Sequence, residues 1–277
     1  MEHREGIFRG MGDLELYYQG WRPNGQPRGV LAVVHGIGEH SGRYMNIVNR
    51  LTGRGYMVYG FDQRGHGRSP GQRGHINSWG EYRGDLDAFL NMIGKLEPTL
   101  PLFLLGHSMG ALVALDYLLC QPAVLRGAIV SGAPIEPAGV AKAYLVILAH
   151  FLSRVWPRFP LHLGLDASAL SRDPAVVRAY ETDPLVHGVA TPRWGTESLA
   201  TIERVKAHAA EVNAPILFIH GGADRLNSPN GSRTIFAKVN LLDKELKVYP
   251  GGYHEPHNDI DYEKVANDIG QWLERHL

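Results

Sequence analysis

The chain has little of what several large function classes require. Among its 277 residues there is one cysteine, Cys120, so an internal disulfide and any Cys-x-x-Cys zinc or redox site are excluded. Charge of either sign is not in excess: 28 Lys plus Arg balance 28 Asp plus Glu. No global field then draws the protein to nucleic acid, and a dedicated nucleic-acid partner is not expected. Long hydrophobic runs are missing too. The most apolar window, residues 138–156, is interrupted by Lys142, His150 and Arg154 and stops at Pro157, whereas a membrane-spanning helix needs about 20 nearly continuous apolar residues. No low-complexity tract or solenoid-period repeat is present. No G-x-G-x-x-G or Walker loop supports nucleotide chemistry, and the fourteen histidines contain no H-E-x-x-H, since His254-Glu255-Pro256-His257 has a proline between its histidines. The expectation is therefore no metal and no cofactor. The opening residues, MEHREGIFRG, hold no apolar stretch of signal-peptide type, which points to a cytoplasmic protein.

What is there is globular: 44% of residues are hydrophobic and 20% charged, close to the average for folded domains. Short apolar runs at 30–34, 56–61, 102–105, 127–130, 215–219 and 245–249 alternate with helical patterns at 84–96, 109–120, 230–239 and 262–277. That alternation predicts an α/β fold with a mostly parallel central sheet flanked by helices. Residues 7–9 and 14–18 flank Gly10-Met11-Gly12-Asp13 and read as an antiparallel hairpin. Between Ala133 and about Asn213 the rhythm breaks, with helix signals punctuated by seven prolines and no convincing strand. A structureless loop of that length is improbable. Residues 134–212 are thus expected to be a helical cap inserted into a core of 1–133 and 213–277.

Gly106-His107-Ser108-Met109-Gly110 matches G-x-S-x-G. The string alone is weak, but it ends the apolar run PLFLL and opens the helical run MGALVALDYLLC. A sharp strand-to-helix turn there lifts a serine hydroxyl above the sheet, with glycines on either side because side chains would clash. Serine needs a base, and the base an orienting acid; in this architecture they follow in the order acid, then histidine. The candidate acids after Ser108 are Asp116, Asp166, Asp173, Asp183, Asp224 and Asp243; Asp116 lies mid-helix and Asp166, Asp173 and Asp183 fall in the cap. Asp224 follows the strand ILFIH, where a loop leaves the carboxyl edge of the sheet, and is the chosen acid. His254, on the loop after KELKVY, is favoured as base over His257, and His276 is next to last in the chain. The loop His35-Gly36-Ile37-Gly38 closes the first strong strand. Its position assigns the main-chain amide of Ile37 to an oxyanion hole, together with that of Met109. Arg64, Arg68 and Arg73, spaced by glycines, read as a loop held by carboxylates.

The strings His35-Gly36-Ile37-Gly38-Glu39-His40-Ser41-Gly42-Arg43-Tyr44, Asp62-Gln63-Arg64-Gly65-His66-Gly67-Arg68-Ser69, Gly106-His107-Ser108-Met109-Gly110 and Ala223-Asp224-Arg225 together resemble the monoacylglycerol lipases, serine hydrolases of the α/β-hydrolase fold. The likeness runs from about residue 6 to the C-terminus. The cap strings Ser171-Arg172-Asp173-Pro174 and Asp183-Pro184-Leu185-Val186 resemble bacterial members. The resemblance implies Ser108, Asp224 and His254 as triad, in agreement with the spacing. It also implies that Glu39 and Arg43 lie at the polar end of the pocket near a glycerol head group; the alternative for that pair is a surface salt bridge. The expected reaction is release of fatty acid and glycerol from a monoacylglycerol. A lysophospholipase, a broader carboxylesterase and, more remotely, a hydrolase-fold ligand receptor are the alternatives. The apolar helix expected over 138–156 has more apolar surface than one core-facing stripe requires, which suggests contact with an acyl chain, or with a membrane or micelle surface.

Overall fold

The structure, a computed structural model, describes residues 1–120, 125–137 and 143–277. In chain order the elements are β1 (Glu2–Arg9), β2 (Glu15–Arg22), β3 (Gly29–Val34), α1 (Met45–Thr52), β4 (Tyr56–Phe61), α2 (Gly80–Leu96), β5 (Leu102–His107), α3 (Met109–Cys120) and β6 (Leu125–Ser131). There follow α4 (Ala143–Val155), β7 (Leu161–His162), α5 (Pro174–Thr182), β8 (Val189–Ala190), α6 (Pro192–His208), β9 (Ile216–Gly221), α7 (Pro229–Lys238), β10 (Lys244–Tyr249) and α8 (Tyr262–Arg275). Eight strands form one sheet in the order β1-β2-β4-β3-β5-β6-β9-β10. It is parallel from β4 to β10, while β2 runs antiparallel to β4 and β1 antiparallel to β2.

Every residue of β3, β4 and β9 is buried, the signature of a sheet covered on both faces. Side chains alternate between two cores with the two-residue period of a strand. Val30, Ala32 and Val34 pack with Leu86 and Phe89 of α2, Leu112 and Leu115 of α3 and Ile235 of α7. Leu31 and Val33 pack on the opposite face with Ile47 and Leu51 of α1 and Val265, Ile269 and Trp272 of α8. The carboxyl ends of β3, β5, β9 and β10 open at one edge, where loops carry residues 35–40, 108, 222–228 and 250–258.

The predicted strands correspond to β3, β4, β5, β6, β9 and β10, and the predicted hairpin to β1 and β2, longer at both ends. Helix α1 lies outside the predicted helical stretches; with eight residues it spans barely two turns and leaves a short periodic signal. Between β6 and β9 the expectation of no strand needs correction, because β7 and β8 pair antiparallel. Two residues apiece are too few to show alternation. The helix expected over 138–156 is α4, ending at Val155, where the residue before Pro157 is pushed out of helical conformation; residues 138–142 of that expectation lie outside the described residues. Among the described residues no helix is long and apolar enough to cross a membrane. The segment between β6 and β9 is fastened to the rest at both flanks. The buried Asp116 of α3 accepts hydrogen bonds from Arg204 of α6 and from Arg83 of α2. His40 Nε2 lies 2.9 Å from Asp183 Oδ2, and His187 N–H donates to Gly38 O at 2.9 Å.

Candidate active site

Ser108 stands between β5 and α3 with φ +51°, a left-handed conformation that costs a non-glycine residue energy and persists only where the surroundings enforce it. Its N–H donates to Ser131 O at 2.8 Å. The flanking glycines are sterically obligatory. A Cβ on Gly106 would sit 2.3 Å from Gly110 O, and one on Gly110 would sit 2.1 Å from Val34 O. The turn is thus pressed between its own first helical residues and the end of β3, and Ser108 Oγ is directed to the carboxyl edge.

His254 comes to Ser108 from the loop after β10, and its Nε2 lies 3.0 Å from Ser108 Oγ. On the far side its Nδ1 lies 2.7 Å from Asp224 Oδ2. A carboxylate can only accept, so Nδ1 carries the proton and Nε2 is left to accept from the serine. Asp224 Oδ1 receives the N–H groups of Leu226 (2.8 Å) and Asn227 (3.0 Å), and Oδ2 also faces His220 Nε2 at 3.1 Å. Burial works to raise the Asp224 carboxyl, but the His254 imidazole and the His220, His254 and Asn227 hydrogen bonds outweigh it and hold the group below the usual range. For His254, burial works downward and Asp224 works upward through charge and hydrogen bond, and the net is a raised imidazole. An ionised acid beside a basic imidazole suits proton uptake from a serine.

The loop after β3 passes next to this group. Gly36 N–H donates to Glu39 Oε1 at 2.6 Å, as does Tyr44 OH at 2.9 Å. Arg43 donates to Glu39 Oε2 (2.9 Å) and, through two nitrogens, to both oxygens of Glu255 (2.7 and 2.9 Å). All three side chains are buried, so the pair is not a surface salt bridge. Burial, with the neighbouring Glu255, raises the Glu39 carboxyl against the pull of Arg43, whereas Arg43 holds Glu255 low against its own burial. The Tyr180 ring of α5 caps the guanidinium at 4.7 Å. Among the described residues the main-chain N–H groups of Ile37 and Met109 have no acceptor.

These residues border a cavity of about 440 Å³, within the size range of small-molecule sites. Glu39, Arg43, Tyr180 and Glu255 line one part. The rest is mostly apolar, including Leu112, Val146 and Ala149 of α4, Leu170, Leu199 and Ile202.

The family model described as "Serine aminopeptidase, S33" matches residues 25–261. The chain belongs to this family. It is 37% identical over 274 residues to the monoacylglycerol lipase of Mycolicibacterium smegmatis, covering 99% of this chain and 98% of the relative. It is 32% identical over 263 residues to human monoglyceride lipase, covering 93% and 86%. Among solved structures, that of Paleococcus ferrophilus monoacylglycerol lipase superposes with a TM-score of 0.85 at 34% identity over 100% of both chains. A soluble variant of the Saccharomyces cerevisiae monoglyceride lipase, in complex with a substrate analog, superposes at 0.88 with 26% identity, over 97% of this chain and 94% of that one. The central sheet, its helices and the order of strands are those of the α/β-hydrolase fold.

Of the residues singled out by sequence, Ser108, Asp224 and His254 meet in one hydrogen-bonded chain, and Ile37, Met109, Glu39 and Arg43 border the same cavity. His257 does not join them: its ring stacks on Tyr44 at 4.8 Å and meets His107 edge-on at 4.7 Å, and neither ring nitrogen has a partner among the described residues. Arg64 pairs with Asp85 and Glu81, and Arg68 with Glu5, but Arg73 donates to Gly67 O instead of a carboxylate. Sequence reasoning missed His220, Glu255 and Tyr180. His220 ends the strand ILFIH four residues before Asp224, a position at the carboxyl edge that could have flagged it. Glu255 and Tyr180 lie 212 and 137 positions from Arg43 and carry no local signal.

Proposed function

We propose that the protein hydrolyses monoacylglycerols as a serine ester hydrolase, with Ser108 as nucleophile, His254 as general base and Asp224 as its orienting acid. The reading rests on one observation: the Ser108–His254–Asp224 hydrogen-bonded chain borders a cavity that is apolar along most of its wall and polar at Glu39, Arg43 and Glu255. His254 Nε2 takes the serine proton as Oγ attacks the ester carbonyl. The amides of Ile37 and Met109 hold the oxyanion; a single oxyanion donor is worth about 3–4 kcal/mol where it has been removed elsewhere. Protonated His254 then returns the proton to the departing glycerol oxygen. Water, deprotonated by the same imidazole, frees the fatty acid from Ser108. No step calls for a cofactor.

Residues 134–212 act as a cap whose helix α4 turns Val146 and Ala149 to the acyl chain. Each methylene buried there contributes about 0.8 kcal/mol, so chains of about eight carbons or more are favoured over acetate. The opposite side of α4 and the turn after it expose Ile147 (70%), Phe151 (60%) and Trp156 (64%), a surface suited to brief contact with a membrane or micelle. A peptidase reading meets a specific obstacle: Arg43 already occupies the two carboxylates, Glu39 and Glu255, that would have to hold a free α-amine. The test is a hydrolysis panel of monoacylglycerol, diacylglycerol, lysophospholipid, short p-nitrophenyl esters and an aminoacyl amide. Highest kcat/KM on monoacylglycerol is expected. A preference for lysophospholipid or acetate esters overturns the substrate assignment, and absence of turnover on all of them overturns the enzyme.

A further inference from the structure

The string Ser171-Arg172-Asp173-Pro174 has no place in the chemistry described above, yet it lies against the loop that carries His254. Its neighbours in the chain form two main-chain bonds to that loop: His254 N–H donates to Ala169 O at 3.2 Å and Glu255 N–H to Leu170 O at 2.9 Å. Arg172 continues the seam. Its backbone N–H donates to Asp259 Oδ1 (2.8 Å) and its Nε to Asp259 Oδ2 (2.9 Å). The Asp259 side chain is fully buried, and its Oδ2 also accepts the N–H of Tyr253 at 2.9 Å, one residue before the base. Ser171 Oγ adds a bond to Asn258 O at 3.1 Å. One carboxylate thereby joins the cap, through Arg172, to both ends of the segment 253–259 that presents the imidazole.

We infer that Arg172 and Asp259 are positioning residues for His254, so that the cap holds the catalytic base in place as well as covering the cavity. The inference rests on the reading of His254 as base. The core also grips this segment, through Arg43 on Glu255 and Asn46 on His257 O and Asn258. The main-chain N–H groups of His254 and Glu255 themselves, however, are held by Ala169 and Leu170, while the His254 ring meets Ser108, Asp224 and His107. Loosening the seam lets the imidazole drift, and a misplacement of about 1 Å at a reacting group can cost about a hundredfold in rate.

The test uses the full chain with Arg172→Met, Arg172→Lys, Asp259→Asn, Asp261→Asn and His254→Gln. Two readouts are taken: monoacylglycerol kinetics across pH, and the rate at which a small fluorophosphonate labels Ser108, which reports activation of the serine without an acyl chain in the cavity. Arg172→Met and Asp259→Asn are expected to lower kcat about ten- to a hundredfold and to slow labelling by a similar factor, with KM changed less than about twofold. The acid limb of kcat/KM moves to lower pH, because an imidazole farther from Asp224 loses part of what raises it; Glu255, Glu39 and His107, the other titratable groups facing it, are unchanged. Arg172→Lys keeps the charge and recovers part of the loss. Asp261→Asn removes only the solvent-facing partner of Arg172 and leaves kcat as it was. Parental labelling rates in Arg172→Met and Asp259→Asn, or a loss carried by KM with the acid limb unmoved, overturn the inference; if Arg172→Met does not fold, Arg172→Lys is judged by the same two criteria. His254→Gln separates the premises: full turnover in that variant refutes the base, whereas loss there with intact Arg172 and Asp259 variants refutes only the positioning role.

Discussion

Arg43→Met removes the guanidinium from between two buried carboxylates and keeps most of its apolar stem. The parent cluster has three charge-assisted bonds from Arg43, at 2.7, 2.9 and 2.9 Å, and a guanidinium side chain only 9% exposed. A surface pair would be worth at most about 1 kcal/mol. Removing one partner from a buried cluster costs roughly 3–5 kcal/mol, since the charges left behind are neither solvated nor paired. For a chain of this size, with about 2–4 °C per kcal/mol, the expected fall in Tm is roughly 6–20 °C. The loss also has a predicted pH dependence. Arg43 pulls both carboxyls down, against burial that pushes them up, so in the variant Glu39 rises further above the unfolded value of about 4.3 and Glu255, held below it in the parent, rises as well. A carboxyl raised in the folded state takes up a proton on folding, and stability then falls as pH rises through that window. The gap between parent and variant should therefore be wider at pH 8 than at pH 5, and adding Glu255→Gln to the variant should narrow it at pH 8. Thermal unfolding followed by circular dichroism at the two pH values measures both quantities. A fall of under about 2 °C at both, well below the range worked above, or an equal fall at both, refutes the buried-charge argument.

Three further outcomes follow from the site. Ser108→Ala and His254→Ala should each lower kcat by several orders of magnitude with the fold retained, because members of such a unit are not additive; His257→Ala, which removes only ring packing, should cost less than about tenfold, as turnover assays on folded variants would register. The acid limb of kcat/KM should lie above the ordinary imidazole value of about 6.5, since Asp224 raises His254 and only the neutral ring accepts a proton: activity is lost as pH falls through that raised value, and a pH–rate profile with its limb below 6.5 would contradict the assignment. Val146→Asp should flatten the preference for long over short acyl esters, whereas Phe151→Ser, on the exposed side of α4, should leave it unchanged; kcat/KM across a chain-length series reads the difference.

Local signals made most of the scaffold legible. Runs such as VLAVV are buried on both faces and need no partner to declare themselves, and G-H-S-M-G declares its turn because only glycine fits where a Cβ would lie 2.1–2.3 Å from a carbonyl oxygen. What stayed hidden depends on contacts far apart in the chain. The two-residue strands β7 and β8 have no period to detect, α1 is too short, and the full Arg43 cluster exists only once Glu255, 212 positions away, is folded against it. Apolar patterning gave α4 its existence but not its facing. Val146 and Ala149 turn to the cavity while Ile147 and Phe151 face outward, a division set by which side packs on α6.

The long segment between β6 and β9 also sets an order of events during synthesis. Ser108 leaves the ribosome first, on a β5–α3 turn whose neighbouring strand β3 is already made. Asp224 and His254 emerge only after the whole segment between β6 and β9. The 146 positions between Ser108 and His254 occupy roughly 7–30 s of translation at about 5–20 residues per second. Through that interval the nascent chain displays a serine with no imidazole beside it, no better a nucleophile than any surface hydroxyl. On the proposed triad, esterase activity waits until β10 docks at the edge of the sheet and the loop after it brings His254 to Ser108. If that assignment holds, a chain that stalls or is cut before that point has no base for Ser108 and does not hydrolyse esters.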